Sequence, residues 1–275
     1  MHLNVRSTIT RVVAIAALSL GVTATQAGAS TITLNFTTGS SSTDNAMGNS
    51  MTLYNSGGLT VTGTAFTFDT SYNPDKFVPA ALDKYNNGYG LGVCNSHEGQ
   101  YCDSPEHQID NQGVSCEWWD SRCTSYNTTD FVLFQFSAPV DPASIQIETF
   151  SSDDLDVSYW VGSITPAQLN GATLGGSPNY SLTNMGNMLT NDCSGSCSAD
   201  QRTVSITSGY VTSLLIGARL DGTGDSYDDF FKIQQLTFDT QNTTQSTVPE
   251  PTSLSLLGAG LFGVARKLRN RIGKK

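Results

Sequence analysis

Residues 130–140 read DFVLFQFSAPV, and the fold class turns on how that stretch is taken. Phe131, Val132, Leu133 and Phe134 follow one another without a polar break, and Phe136 comes after a single glutamine. A short, continuously apolar run of this composition suits a central β-strand. Pro139 has no N–H to give a ladder and is expected to close it. Working outward, neighbouring stretches alternate apolar and polar residues at the strand period. STITLNF (30–36) puts Ile32, Leu34 and Phe36 on one face, LTVTGTAFTF (59–68) offers Leu59 and Val61 and then Phe66 and Phe68, and ASIQIETF (143–150) offers Ile145 and Ile147. LDVSYWVG (155–162), RTVSIT (202–207), YVTSLLIGARL (210–220) and FFKIQQLTF (230–238) continue the pattern to about nine strands. The expectation is an all-β protein: a single antiparallel β-sandwich, jelly-roll-like, over residues 30–238. Only TPAQLNGATLG (165–175) reads as helix, for one turn, with Pro166 at its first position and Gly171 limiting it. TTGSSSTDNAMGNS (37–50) reads as a loop, and DTQNTTQST (239–247) as a polar linker.

The charge is segregated. All 24 Asp and Glu fall between Ser30 and Ala265, together with only six of the 14 Lys and Arg. So acidic a body repels nucleic acid and anionic lipid and favours cations or neutral partners. Residues 1–29 carry Arg6 and Arg11, an apolar run from Val12 to Val22, and Ala27-Gly28-Ala29, the form a signal peptidase accepts. They read as a signal peptide with the mature start near Ser30, because the apolar run is too short for a comfortable membrane anchor.

The other basic residues lie at the opposite end. Leu254–Ala265 is twelve residues without charge, preceded by Pro249-Glu250-Pro251 and followed by Arg266, Lys267, Arg269 and Arg271. As a helix it would cover roughly 18 Å of a ~30 Å hydrocarbon core. The segment 248–275 therefore reads as a short transmembrane segment that pauses in a membrane, with its basic end held in the cytoplasm. Val248, Pro249, Glu250 and Pro251, the apolar run and the basic cluster, in that order, resemble the PEP-CTERM sorting signal. That resemblance implies processing by exosortase after export through the inner membrane of a bacterium with a Gram-negative envelope. It also implies a place at the cell surface or in an exopolysaccharide matrix. In the body, GYGLGVCNS (88–96), HQIDNQG (107–113), DFVLFQFSAPV and DDFFKIQQLTF (228–238) are similar to recurring blocks of PEP-CTERM ectodomains, although the third often opens with Glu where Asp130 stands here.

Six cysteines in an exported chain read as disulfides, with local pairing Cys94–Cys102, Cys116–Cys123 and Cys193–Cys197 the simplest of 15 connectivities. The excursion 94–123 that they would pin also holds His97 and His107. Those two could join Cys94 and Cys102 on zinc, but the spacing matches no known zinc module and the histidines read as exposed loop residues. Trp118 and Trp119, beside Glu117 and Asp120, could cover the apolar face of a sugar or simply pack under the loop. Asp153, Asp154 and Asp156 in one turn, and Asp221, Asp225, Asp228 and Asp229 in another, suit structural calcium or plain solvated turns. Neither a G-x-S-x-G elbow nor an H-E-x-x-H helix is present. The expected function is a non-catalytic structural or adhesive component of an exopolysaccharide or biofilm matrix. The rivals are a carbohydrate-binding module and a secreted polysaccharide hydrolase.

Overall fold

The computed structural model describes residues 29–241, apart from 44, 87, 99–107, 112, 116–123, 127, 149–154, 177–179, 194–200 and 221–228, together with the single residues Gly260 and Arg269. By internal contacts the chain divides into Ala29–Gln241 and the terminal segments Met1–Gly28 and Asn242–Lys275. The body is all-β and antiparallel throughout.

One strand organises it. β10 (Thr128–Glu148) runs for 21 residues and includes both DFVLFQFSAPV and most of ASIQIETF. Pro139 does not close it. Its first half lies between β3 (Leu59–Asp69) and β14 (Val211–Ala218), and its second half between β13 (Gln201–Ser205) and β15 (Phe230–Thr240). The register slips between Gln135 and Val140 against β14, and between Pro142 and Ser144 against β15. Pro139 and Pro142 therefore sit where β10 exchanges neighbours, a place where a missing N–H interrupts no continuous ladder. β2 (Ser50–Ser56) and β4 (Lys76–Pro79) share the outer edge of β3. On the opposite side, β11 (Val157–Gly162) and β12 (Leu189–Asn191) extend the sheet beyond β14. β1 (Ser30–Asn35), β6 (Gly90–Cys94) and β7 (Ile109–Asp110) take successive parts of the far edge of β15, and β5 (Ala81–Tyr85) pairs with β6. A separate hairpin joins β8 (Gly113–Ser115) to β9 (Thr124–Tyr126). The strands number fifteen among the described residues rather than nine, mainly because short edge strands carry too few residues to show a period.

Strand alternation sorts the apolar residues into two cores. Val132, Phe134 and Phe136 of β10 join Val140, Ile145 and Ile147 further along it, Leu214 and Ile216 of β14, and Ile233, Leu236 and Phe238 of β15 in the larger cluster. That core is contributed by both halves of β10. Phe131 and Leu133 point the other way, with Leu215, Phe66, Phe68, Phe77 and Trp160, into a second cluster roofed by Ile164, Leu169, Leu182 and Met185. The first half of the sheet is thus buried on both faces, and this is why its central strand is apolar without alternation. The roof begins with α1 (Pro166–Leu169), a single turn closed by a capping box between Thr165 and Gln168 with Pro166 at its start.

The phase of β15 changes within the strand. Phe231 and Ile233, then Leu236 and Phe238, face the same core, so one residue is inserted between the pairs, and the register against β10 slips there. Gln234, at the slip, donates to Gly88 O at 2.9 Å and accepts a hydrogen bond from Gln201 through its side chain. The close approach of β6 to β15 depends on Gly90, whose φ is +97° and whose position leaves no room for a Cβ, Ile233 O being 2.4 Å from where it would stand.

Candidate functional site

Four segments converge at the start of β10. Asp130 enters through β10, Asp110 ends β7, and Asn95 and Glu98 belong to the turn that follows β6. That turn is closed by its own atoms: the Asn95 N–H donates to Glu98 Oε2 at 2.8 Å, the Glu98 N–H to Asn95 O at 3.2 Å, and the His97 N–H to Asn95 Oδ1 at 2.9 Å. Two side chains fasten the turn to the sheet. His97 Nε2 meets Asp69 Oδ2, at the end of β3, at 2.7 Å, and Asn95 Nδ2 donates to Asp130 Oδ1 at 3.3 Å. The side chain of His97 is 20% exposed, so its place is in this joint and not on an exposed loop as its sequence setting suggested.

The turn brings Glu98 against Asp110 and Asp130, and their carboxylate oxygens lie within 4.8 Å of one another. Asp130 is completely buried, Asp110 is 6% exposed and Glu98 9%. Burial pushes the Asp130 carboxyl up to about 7, against the opposing pull of hydrogen bonds from Thr67, at 2.6 Å, from Asn95 and from the Asp110 backbone. Burial likewise pushes Glu98 well above the carboxylate range, and the neighbouring Asp130 adds to it. Asp69 goes the other way: burial alone would raise it, but hydrogen bonds from Ser71 and His97 outweigh burial and hold it below its usual value. Among the described residues Glu98, Asp110 and Asp130 are the group that could hold a metal ion.

The protonation of this site sets a pH dependence. A carboxyl whose folded-state pKa is raised binds more protons folded than unfolded, so its favourable contribution is complete below the unfolded value and lost as pH rises through the folded one. With divalent ions chelated, the full chain should therefore melt at a higher temperature at pH 5 than at pH 8. Between those two pH values Asp130 alone would account for roughly 2–3 kcal/mol, the part of its rise to about 7 that lies above pH 5. Asp69 does not offset this, because a lowered carboxyl loses its contribution only as pH falls below about 4. Calorimetric scans at the two pH values check the sign, and a flat or opposite profile would contradict it.

A second polar joint lies beside the first. Asp229, just before β15, accepts from the Asp156 N–H at 2.9 Å through Oδ1 and from Asn111 Nδ2 at 2.8 Å through Oδ2. Asp156 accepts from the Cys193 N–H at 2.6 Å and forms an ion pair with Arg219 at 2.6 Å. The structure thus brings together one residue from each Asp-rich turn and engages all four of their carboxylate oxygens with protein donors. The other suggested calcium ligands, Asp153, Asp154, Asp221, Asp225 and Asp228, lie outside the described residues, as do Trp118, Trp119, His107, Cys102, Cys116, Cys123 and Cys197. Cys94 and Cys193 are not free thiols, although no disulfide has both halves among the described residues.

The acidic trio escaped sequence reading because its members are spread over residues 98–130 with no period to link them. A signal was present: Asp110 in QIDNQ and Asp130 opening DFVLF are charges set directly against strand residues, where a solvated turn would not place them.

No helix among the described residues is long and apolar enough to cross a membrane, and Leu254–Ala265 lies outside them, apart from Gly260. Of the basic cluster only Arg269 is described, and it is exposed. Neither a curated protein nor a solved structure matches the chain. Residues 247–270 match the PEP-CTERM protein-sorting motif, which marks export to the cell envelope or surface of a Gram-negative bacterium and makes exosortase the processing partner. On that segment the chain carries a PEP-CTERM sorting signal.

Proposed function

We propose that the chain is a non-catalytic structural or adhesive component of an extracellular exopolysaccharide or biofilm matrix, presented as a jelly-roll-like β-sandwich and released from its membrane tail by exosortase. The observation that carries this reading is the sorting motif at 247–270 joined to a strongly acidic β body. The placement of the acids supports a non-catalytic role. The densest group is buried, with Asp130 inaccessible, and Asp69, Asp156 and Asp229 are occupied in fastening strands to turns. A polysaccharide hydrolase needs two carboxyl groups facing a cleft that admits a sugar ring.

The test is genetic and biochemical. In a strain deleted for residues 30–238 but keeping both terminal signals, the matrix should lose cohesion, and the processed body, without its basic tail, should be recovered from the matrix fraction of wild-type cells. Recovery only from the cytoplasm or the inner membrane would overturn the assignment. Release of reducing sugar from the host's own polysaccharide by purified protein would replace it with the hydrolase reading. Binding to that polysaccharide that Trp118→Ala and Trp119→Ala both abolish would replace it with a lectin-like one.

A further inference from the structure

We propose that Glu98, Asp110 and Asp130 bind a calcium ion that ties the two halves of the body together after export. The argument starts from the cost of the arrangement. Three carboxylates within 4.8 Å of one another, each at least nine-tenths buried, repel strongly in a low-dielectric setting unless protons or a cation intervene. Part of the cluster is satisfied by the protein: Asp130 Oδ1 accepts from Thr67 and Asn95, and Glu98 Oε2 from the Asn95 N–H. Asp130 Oδ2 is different. It is buried and has no hydrogen-bond partner among the described residues, and its carboxyl belongs to the cluster. Thr128 Oγ1, two residues earlier on the same face of β10, is also buried without one. A buried carboxylate oxygen left without a donor, in a group with two other carboxylates, is what an oxygen-coordinated cation would satisfy.

The donor set selects the ion. All three groups are carboxylates, which suit hard cations with six to eight oxygen ligands. The imidazole carried by the same turn, that of His97, is engaged through Nε2 at 2.7 Å by Asp69, and Cys94 is not a free thiol, so among the described residues the group is all oxygen, without the nitrogen and sulfur that would favour zinc or copper. Magnesium prefers to keep several waters and demands near-ideal octahedral geometry, which an enclosed all-carboxylate group serves poorly.

The position of the ligands gives the ion a mechanical role. Asp130 belongs to the part of β10 held between β3 and β14, whereas Asp110 is on β7, paired with β15, and Glu98 follows β6, also on β15. An ion shared by the three would staple the β3–β10–β14 group to the β15 group at one end of the larger core. Calcium sites in extracellular modules work at about 0.1–1 mM, so such a staple would close after export. The proposal does not depend on the matrix assignment, and it is distinct from calcium in the two Asp-rich turns.

The experiment uses the full chain, oxidised and in detergent, with calcium chloride as probe. Titration calorimetry on the wild type should show one saturable site per chain, and calcium at a hundredfold excess over Kd should raise Tm by about 5–10 °C relative to chelator. Asp130→Asn should abolish both the heat and the shift while melting in chelator no lower than the wild type, because it removes a buried charge. Glu98→Gln serves as the second variant should Asp130→Asn fail to fold. Absence of saturable binding by the wild type up to about 10 mM calcium would overturn the proposal. So would a shift that persists in either variant, which would place the ion elsewhere.

Discussion

Trp160→Ala is expected to lower the melting temperature of the full chain by on the order of 10 °C, which follows from about 3–5 kcal/mol for emptying a large aromatic site in a body of this size. Trp160 is completely buried in β11 beneath the roof segment. Its ring packs against Phe131 at 5.6 Å between centroids and against Phe77 at 6.4 Å, and Phe77 in turn contacts Phe68 and Phe131 edge-on. These rings belong to β3, β4, β10 and β11, so Trp160 joins β11 to β10 and β4 directly and to β3 through Phe77. The indole N–H donates to Tyr180 O at 2.9 Å and holds the far part of the roof in place. Alanine would remove the packing and leave that carbonyl without its donor, whereas Trp160→Phe would keep most of the packing and lose only the hydrogen bond, for about 0.5–1.5 kcal/mol. Thermal melts of the two variants check the split. If Trp160→Ala melted within about 2 °C of wild type, the second core would be an appendage that adds little to the sheet beneath it.

The same region shows what the sequence could reveal and what it hid. The alternation in STITLNF and LTVTGTAFTF was legible because side chains on one face of a strand must share an environment: Leu34 and Phe36 are buried together, and Leu59 and Val61 lie in the larger core while Phe66 and Phe68 lie in the second. The capped turn at Pro166 was legible because capping is local chemistry. The fusion of residues 128–148 into one strand was not, since proline normally marks an end and only the exchange of neighbouring strands makes Pro139 and Pro142 tolerable. Nor was the acidic cluster, because proximity among Glu98, Asp110 and Asp130 is a property of β6, β7 and β10 meeting, and no local spacing encodes it. GYGLGVCNS supplies Asn95, HQIDNQG supplies Asp110 and Asn111, DFVLFQFSAPV supplies Asp130, and DDFFKIQQLTF supplies Asp229, but Asp69, His97, Glu98, Asp156 and Arg219 of the same joints come from other stretches. Asp130 is the most deeply buried member of the trio.

The tail should behave as an all-or-none device. Six basic residues follow Ala265, and drawing them across the bilayer would cost roughly 15 kcal/mol at the insertion-scale value for each Lys or Arg. A tail that engages the membrane is therefore expected to stop with its basic end inside, its twelve uncharged residues keeping the Pro249-Glu250-Pro251 segment close to the outer surface. Processing by exosortase then separates the body from residues that cannot follow it. The intact mass of protein recovered outside the cell should lack Arg266–Lys275. Replacing Pro249, Glu250 and Pro251 by alanine should leave a chain that keeps Lys275 and stays with the inner membrane. Replacing Arg266, Lys267, Arg269 and Arg271 by serine should act at a different step, by weakening the stop that positions the motif, so that less of the chain is processed although the motif is intact. Mass spectrometry and membrane fractionation of the two variants distinguish these steps. Extracellular wild-type protein that still carries Lys275 would contradict the cleavage model, because twelve apolar residues would then have left the membrane with their cationic end attached.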